Sequence, residues 1–165
     1  MTQRDAIVAL LVLAALAGAA ALLEVRRPRN VVSGSARVID GDSLRVDHQV
    51  IRLAGLDAPE LHQTCQRAGR PYPCGEVARA ELRRMTGNAI VTCDILGRDR
   101  YRRRLGRCSV DGEDIGASLV SRGFAVAYRR YADEEKQARR TGAGLWAGTF
   151  EAPSEWRKSH PSTRR

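Results

Sequence analysis

The amino-acid sequence predicts an α+β fold, with five short strands and three helices in one domain after an N-terminal hydrophobic helix. Three observations support this fold class: short runs of alternating apolar and polar residues, amphipathic segments beside them, and an apolar N-terminal segment. The 165 residues are 28% charged and 43% hydrophobic, which suits a single core. We therefore predict a transmembrane anchor or signal peptide at 1–23, a basic linker at 24–30, the folded domain at 31–150 and a C-terminal tail at 151–165.

The N-terminal segment contains an apolar run without any charge at residues 6–23. As a helix this run would extend about 27 Å, slightly less than the thickness of a bilayer core, which favours an uncleaved anchor. The run is also rich in alanine and contains A-x-A sites such as residues 15–17, which favour a cleaved signal peptide. We weigh the two alternatives equally, and either one directs the chain to the membrane or beyond it.

Four cysteines follow this segment, at Cys65, Cys74, Cys93 and Cys108. An even number of cysteines behind a targeting segment indicates two disulfide bonds formed in an oxidising compartment. Three pairings are possible, and we favour 65–74, across a short loop, with 93–108, which a hairpin would bring together. The arginines at 26–29 would instead keep the domain cytoplasmic. We give the cysteines more weight and expect a location in the cell envelope, facing the periplasm or exterior, or secretion.

Alternation and helical periodicity place each element of the domain. The order β-β-β-α-β-β-α-α suits a small closed barrel of OB type. The second and third strands surround a turn near Asp47 and His48, and the fourth and fifth are joined by an arginine-rich connection. The predicted strands are 31–39, two within 43–56, 89–95 and 103–110, and the predicted helices are 75–87, 115–123 and 131–142.

Acidic residues are expected to converge at one end of the hairpin made by the second and third strands. With the turn near Asp47, antiparallel pairing places Asp42 opposite Leu53, and Asp57 follows just beyond the end of that strand. Arg52 and Glu60 leave the sheet at the same point. Like charges this close repel one another unless a cation offsets them, and Ca²⁺ accepts carboxylate and carbonyl oxygens. The hairpin spacing therefore indicates a calcium site, although an Asp-Gly turn alone would be unremarkable.

The net charge of +9 and the pI near 10.2 predict a polyanionic partner, either nucleic acid or an anionic membrane surface. Three separated motifs favour the first. Residues 40–43 read DGDS, residues 52–60 read RLAGLDAPE, and residues 99–106 read DRYRRRLG, followed by two helices. In this order they resemble the thermonuclease family, whose domain has the staphylococcal nuclease-like fold, and the similarity extends over about 31–146.

The resemblance implies a role for each matching residue. Asp42 and Asp57 match the family's calcium carboxylates, and Ala58 stands where the family offers a backbone carbonyl to the ion. Arg52 matches a phosphate-binding arginine, and Glu60 matches the base that activates the attacking water. The family cleaves DNA and RNA with calcium and leaves 3′-phosphates, so we expect the same reaction here, performed by a monomer.

The arginine-rich connection supplies the remaining candidates. Arg103 matches a second catalytic arginine and Tyr101 a tyrosine beside the bound nucleotide, while Tyr128 is a further candidate and Arg100 is assigned to substrate binding. Arg102 departs from the family, which has glycine there, and a positive φ at this position would strain an arginine.

Two other interpretations stay open at this point. Some relatives of this fold have lost their catalytic residues and bind nucleic acid as scaffolds, although this chain keeps all five catalytic and calcium-binding side chains. Alternatively, a basic envelope protein could use its arginines on lipid or cell-wall anions, which predicts affinity without turnover.

Overall fold

The computed structural model describes residues 3–25 and 30–161. In these ranges the helices are α1 (Gln3–Val25), α2 (Cys74–Thr86), α3 (Ile115–Ser121), α4 (Ala132–Thr141) and α5 (Pro153–Ser159), with a 3₁₀ turn at Gly144–Ala147. The strands are β1 (Val31–Val38), β2 (Ser43–Val46), β3 (Gln49–Leu53), β4 (Leu56–Asp57), β5 (Cys65–Arg67), β6 (Arg70–Tyr72), β7 (Ile90–Arg98), β8 (Arg104–Val110), β9 (Glu113–Asp114) and β10 (Val126–Ala127).

Five strands close into a barrel, which confirms the predicted fold class. Strand β1 pairs antiparallel with β2 and β7, β2 pairs with β3, and β7 pairs with β8. The parallel pairing of β3 with β8 closes the ring. Three features were not predicted: strand β9 on the edge of β8 and the small pairs β4–β10 and β5–β6. Their strands have only two or three residues, too few to show alternation.

The barrel interior and two helices form the core. Alternate residues of β2 and β3, such as Leu44 and Ile51, are fully buried. Helix α2 contributes Leu82 and α3 contributes Leu119, each also fully buried. Burying one such side chain stabilises the fold by about 1.5–3 kcal/mol. Helix α2 thus covers the barrel beside the loop that follows β4, the loop that contains Glu60.

The β2–β3 hairpin has the predicted register. Val46 pairs with Gln49 across a two-residue turn, and Ser43 pairs with Arg52. One step further, the Leu53 N–H donates to the Asp42 carbonyl over 2.7 Å. Asp42 therefore lies opposite Leu53, as the spacing predicts.

At the N-terminus, α1 corresponds to the predicted hydrophobic helix. In the ranges 3–25 and 30–161, no helix is both long and apolar enough to cross a membrane. The predicted transmembrane anchor therefore gains no support from the structure. Much of the predicted basic linker, at 26–29, lies outside the described residues.

Both favoured disulfide bonds are present. Cys93 and Cys108 lie directly opposite each other on β7 and β8, and their side chains are buried in the barrel core. Cys65 and Cys74 join β5 to the first residue of α2. The Cys65–Cys74 bond constrains the segment that follows Glu60.

Within the predicted C-terminal tail at 151–165, the structure describes residues up to 161 and contains a short helix. Residues Pro153–Ser159 form α5, beginning at a proline that suits the first helical turn. Trp156 is only 8% exposed, so it attaches this short helix to the domain. Seven residues form two turns at most, so the sequence shows no clear periodicity there.

Asp99 organises the turn between β7 and β8. Its carboxylate accepts hydrogen bonds from the backbone N–H groups of Tyr101 and Arg103 and from the Arg103 guanidinium, whose Nε lies 2.7 Å from Oδ2. Arg102 has φ of +65°, in the left-handed region that favours glycine. The sequence-based expectation of strain at this position is therefore met.

Replacing Cys93 and Cys108 together by alanine should lower the free energy of unfolding by about 2–4 kcal/mol, because the bond closes a loop in the unfolded chain. Urea denaturation under oxidising conditions measures this loss. Reducing agent should destabilise the wild-type protein more than the double variant. Equal unfolding midpoints for the two oxidised proteins would contradict the prediction.

Replacing Arg102 by glycine should leave the free energy of unfolding unchanged or raise it by up to about 1.5 kcal/mol. Relief of the left-handed arginine is worth roughly 1–2 kcal/mol, and the freedom of glycine in the unfolded chain offsets about 0.5–1 kcal/mol of it. Arg100→Gly is the matched control, since Arg100 lies in the same turn without a positive φ. A lower melting temperature for Arg102→Gly than for Arg100→Gly would contradict this account.

Candidate functional site

Two aspartates and an arginine meet at the end of the β2–β3 hairpin. One nitrogen of Arg52, Nη2, lies 2.6 Å from Asp42 Oδ2 and 2.8 Å from Asp57 Oδ1. All three side chains are largely buried, at 17% exposed or less. The structure therefore brings together the three residues that the hairpin spacing predicts to converge.

Glycine allows the Asp42 loop to approach the segment after β4. A Cβ atom at Gly41 would lie 2.8 Å from the Ala58 Cβ and 3.0 Å from the Ala78 Cβ, so no side chain fits without displacement. The Asp42 carboxylate is further held by the Ser43 hydroxyl, which donates to Oδ1 over 2.9 Å. This packing brings Asp42 beside residue 58, where the backbone carbonyl was predicted to bind calcium.

The chemistry of these donors fits a hard cation. The pKa of Asp42 is raised to about 7, mainly by burial and to a smaller extent by nearby Asp40 and Asp57, against the opposing effect of the Arg52 charge. A cation at this site would favour the ionised form. No group of three or more His, Cys, Asp or Glu side chains in the described ranges could hold a metal ion. An ion bound here would have Asp42, Asp57 and the Ala58 carbonyl as its protein ligands, completed by water.

Glu60 lies on a loop fixed by Gln63. The Glu60 N–H donates to Gln63 Oε1 over 3.1 Å, and the Gln63 N–H donates to the Glu60 carbonyl over 2.7 Å. Gln63 is fully buried, and its Nε2 also donates to the Glu151 carbonyl, 88 residues further along the chain. A Cβ at Gly75 would lie 1.8 Å from the Glu60 carbonyl oxygen, so α2 begins in direct contact with this loop.

Sequence reasoning missed Gln63, because a single glutamine in a loop carries no pattern. It also missed Arg157 on α5. The Arg157 guanidinium donates to both Asp57 oxygens, over 3.0 and 2.8 Å, and to Glu60 Oε1 over 2.8 Å. The hydrogen bonds to Asp57 are the main cause of a raised Arg157 pKa. For Arg157, the only signal in the sequence was the number of charged residues near the C-terminus.

The other predicted residues are more exposed than those of this centre. Arg103 immediately precedes β8 and stands two residues before Leu105, which pairs with Arg52. Within the described residues its ion pair is with Asp99 and not with the buried carboxylates. Burial acts to raise the Asp99 pKa, but the bonds from Arg103 and the Tyr101 N–H outweigh it and lower that pKa.

Exposed aromatic and basic side chains lie beside Arg103 and beside the β3–β4 turn. Tyr101 and Tyr128 are 60% and 57% exposed. The guanidinium of Arg100 lies 4.8 Å from the ring centre of Tyr101, and the Tyr128 N–H donates to the Gly55 carbonyl over 2.9 Å. The site thus combines a buried charged centre with solvent-facing rings and cations.

Comparisons with known proteins agree with this arrangement. The sequence model of the staphylococcal nuclease homologue family matches residues 50–148. The chain is 34% identical over 123 residues to a protein of Rhizobium meliloti named succinoglycan biosynthesis protein ExoI, covering 70% of this chain and 64% of that protein's length. It is 34% identical to protein ParB of Escherichia coli, covering 78% and 80% of the two chains.

A third relative, named micrococcal nuclease, comes from Shigella flexneri. It is 32% identical over 145 residues, covering 74% of this chain and 78% of that protein. The family match begins within β3 and includes Arg52, the acidic segment 57–60 and the β7–β8 turn with Arg103. The chain therefore belongs to the family of staphylococcal nuclease homologues.

Proposed function

We propose that this protein is a nuclease, a hydrolase that cleaves phosphodiester bonds of DNA or RNA with calcium and leaves 3′-phosphates. The observation that carries the proposal is the convergence of Asp42, Arg52, Asp57 and Glu60 in one small volume. Family membership and the name of the Shigella relative support nuclease activity in general. The calcium requirement and the products are expectations from the resemblance.

Calcium, when bound by Asp42, Asp57 and the Ala58 carbonyl, supplies a Lewis acid and a template for the phosphate. Arg52 is held between the two aspartates with its guanidinium largely buried, so its position is fixed before substrate arrives. Arginine keeps its charge at any physiological pH and binds phosphate oxygens through two parallel donors. Such preorganised positive charge stabilises the charge that develops on the phosphate oxygens in the transition state.

Glu60 is the proposed general base. Its side chain is 33% exposed, and the hydrogen bonds of Gln63 hold its backbone in place. In the reaction, water attacks phosphorus in line with the bond to the 5′-oxygen, and the water proton passes to the Glu60 carboxylate. The bond from phosphorus to the 5′-oxygen breaks, and the departing 5′-oxygen takes a proton from solvent water, which leaves a 3′-phosphate and a 5′-hydroxyl.

Arg103 is the second proposed transition-state group. In the structure its side chain is 42% exposed and forms an ion pair with Asp99. Such an exposed pair contributes little stability, so an incoming phosphate could compete for the guanidinium at small cost. Tyr101 and Tyr128 offer exposed rings on which bases can stack.

For location, we propose the cell envelope or the exterior. The two disulfide bonds support an oxidising compartment. Anchorage through the N-terminal segment and its cleavage as a signal peptide both stay predictions.

Replacing Glu60 by glutamine should lower turnover by about 10²–10⁴-fold, because an amide cannot accept the water proton. Cleavage of labelled single-stranded DNA in calcium measures turnover, and fluorescence anisotropy of the same DNA measures binding, which should persist. Glu113→Gln is the matched control, since Glu113 is an exposed carboxylate on β9. Cleavage undiminished by Glu60→Gln, or unaffected by EDTA, would contradict the mechanism. Binding of DNA with no cleavage by the wild-type protein would instead support a non-catalytic binding module.

Replacing Arg103 by alanine should depress turnover by about 10²–10³-fold with a much smaller effect on binding, because its charge acts mainly in the transition state. Arg98→Ala removes the same charge from the neighbouring strand end, and it should mainly weaken binding and reduce the salt dependence of binding. Rates of cleavage and dissociation constants at several salt concentrations separate the two effects. Equal effects of both substitutions would indicate a diffuse basic patch.

A further inference from the structure

The C-terminal helix α5 delivers a positive charge to the acidic centre. Arg157 donates two parallel hydrogen bonds to Asp57, one from Nη1 and one from Nη2. Its Nη1 also donates to Glu60 Oε1. Asp57 Oδ1 also accepts from Arg52. Asp57 is therefore bound by two guanidinium groups, and the proposed base Glu60 by one of them.

The position of Arg157 is fixed by the packing of its helix. Its neighbour Trp156 is 8% exposed, and Pro153 at the start of α5 is buried. Just before the helix, the Glu151 carbonyl accepts the side-chain hydrogen bond of Gln63. The buried Gln63 side chain thus links the loop that holds Glu60 to the segment that leads into α5.

Arg157 and a divalent cation would compete for the same oxygens. Both oxygens of Asp57 are engaged by the guanidinium in the structure. A calcium ligand must offer a lone pair to the ion, and a positive charge beside the ligand repels the ion. Calcium could bind only if Arg157 moved aside or shared Asp57 with it.

We infer that Arg157 sets the calcium affinity of the site, acting as an internal cation that occupies Asp57 and Glu60 until calcium displaces it. The inference rests on the proposed function, since it takes Asp57 as a calcium ligand. Calcium then binds more weakly than the carboxylates alone would allow. The site loads only where calcium is abundant, and departure of Arg157 also frees Glu60 Oε1 to accept a proton.

The test is calorimetric titration of calcium into the full-length, EDTA-treated protein without nucleic acid. Arg157→Gln should tighten calcium binding by about tenfold or more, because it removes a unit charge next to a ligand. Lys158→Gln is the matched control: it removes the same charge from the next residue of α5, and Lys158 pairs only with the exposed Glu155 in the described structure. Its calcium affinity should equal that of the wild-type protein.

Arg157→Lys covers the case in which the glutamine variant folds poorly. Lysine keeps the charge but cannot form the two parallel bonds to Asp57, so calcium affinity should lie between those of the wild-type and glutamine proteins. Thermal unfolding without calcium verifies that each variant is folded. Unchanged or weaker calcium binding in both variants would overturn the inference and indicate that Arg157 only positions the carboxylates.

Failure of the inference can be told apart from failure of the proposed function. A wild-type protein that binds calcium and cleaves DNA, with the same dissociation constant as its Arg157 variants, would overturn the role of Arg157 alone. Absence of both calcium binding and cleavage in every variant would overturn the proposed function together with the inference.

Discussion

The acidic site depends on the register of the β2–β3 hairpin. The two-residue turn at Asp47 and His48 fixes the pairing of Ser43 with Arg52, and this pairing places Asp42 next to the end of β3. A slip of one residue would turn every side chain of the strand to the opposite face. The buried apolar residues of β2 and β3 oppose such a slip, because it would expose the core. Hydrophobic burial in the barrel therefore fixes where the charged groups meet.

The loops that contain Asp42 and Glu60 are held against the rest of the domain by close contacts. Gly41 packs directly on Ala58, and Gly75 packs on the backbone of Glu60, at distances that leave no room for a Cβ atom. The buried amide of Gln63 then joins the Glu60 loop to the C-terminal segment. The Cys65–Cys74 disulfide closes the same region. Loop residues 57–63 are thus held by backbone contact, a buried polar group and a covalent bond.

The elements whose structure depends on nearby residues could be predicted from local sequence patterns. Alternation and turn position placed the five barrel strands, and simple hairpin counting brought Asp42, Arg52 and Asp57 together. The same reasoning could not place Arg157, because the position of α5 depends on contacts across the fold, such as the hydrogen bond from Gln63 to the Glu151 carbonyl, 88 residues away. Nor could it find Gln63, whose role exists only once Glu60 and Glu151 are neighbours. The pairing of Arg103 with Asp99 likewise depends on a turn conformation that includes a left-handed arginine.

The charge balance of the centre links its folding to its proposed chemistry. Three carboxylates, those of Asp42, Asp57 and Glu60, share two guanidinium groups in the structure. Burial is the main cause that raises the pKa of Asp42 to about 7, and the charge of Arg52 offsets this effect only in part. An uncompensated buried charge is strongly destabilising, whereas a paired one is tolerated. Arg52 and Arg157 thus supply ion pairs to all three carboxylates in the metal-free protein. In the proposed calcium site, these same ion pairs occupy the carboxylate oxygens that would bind the metal.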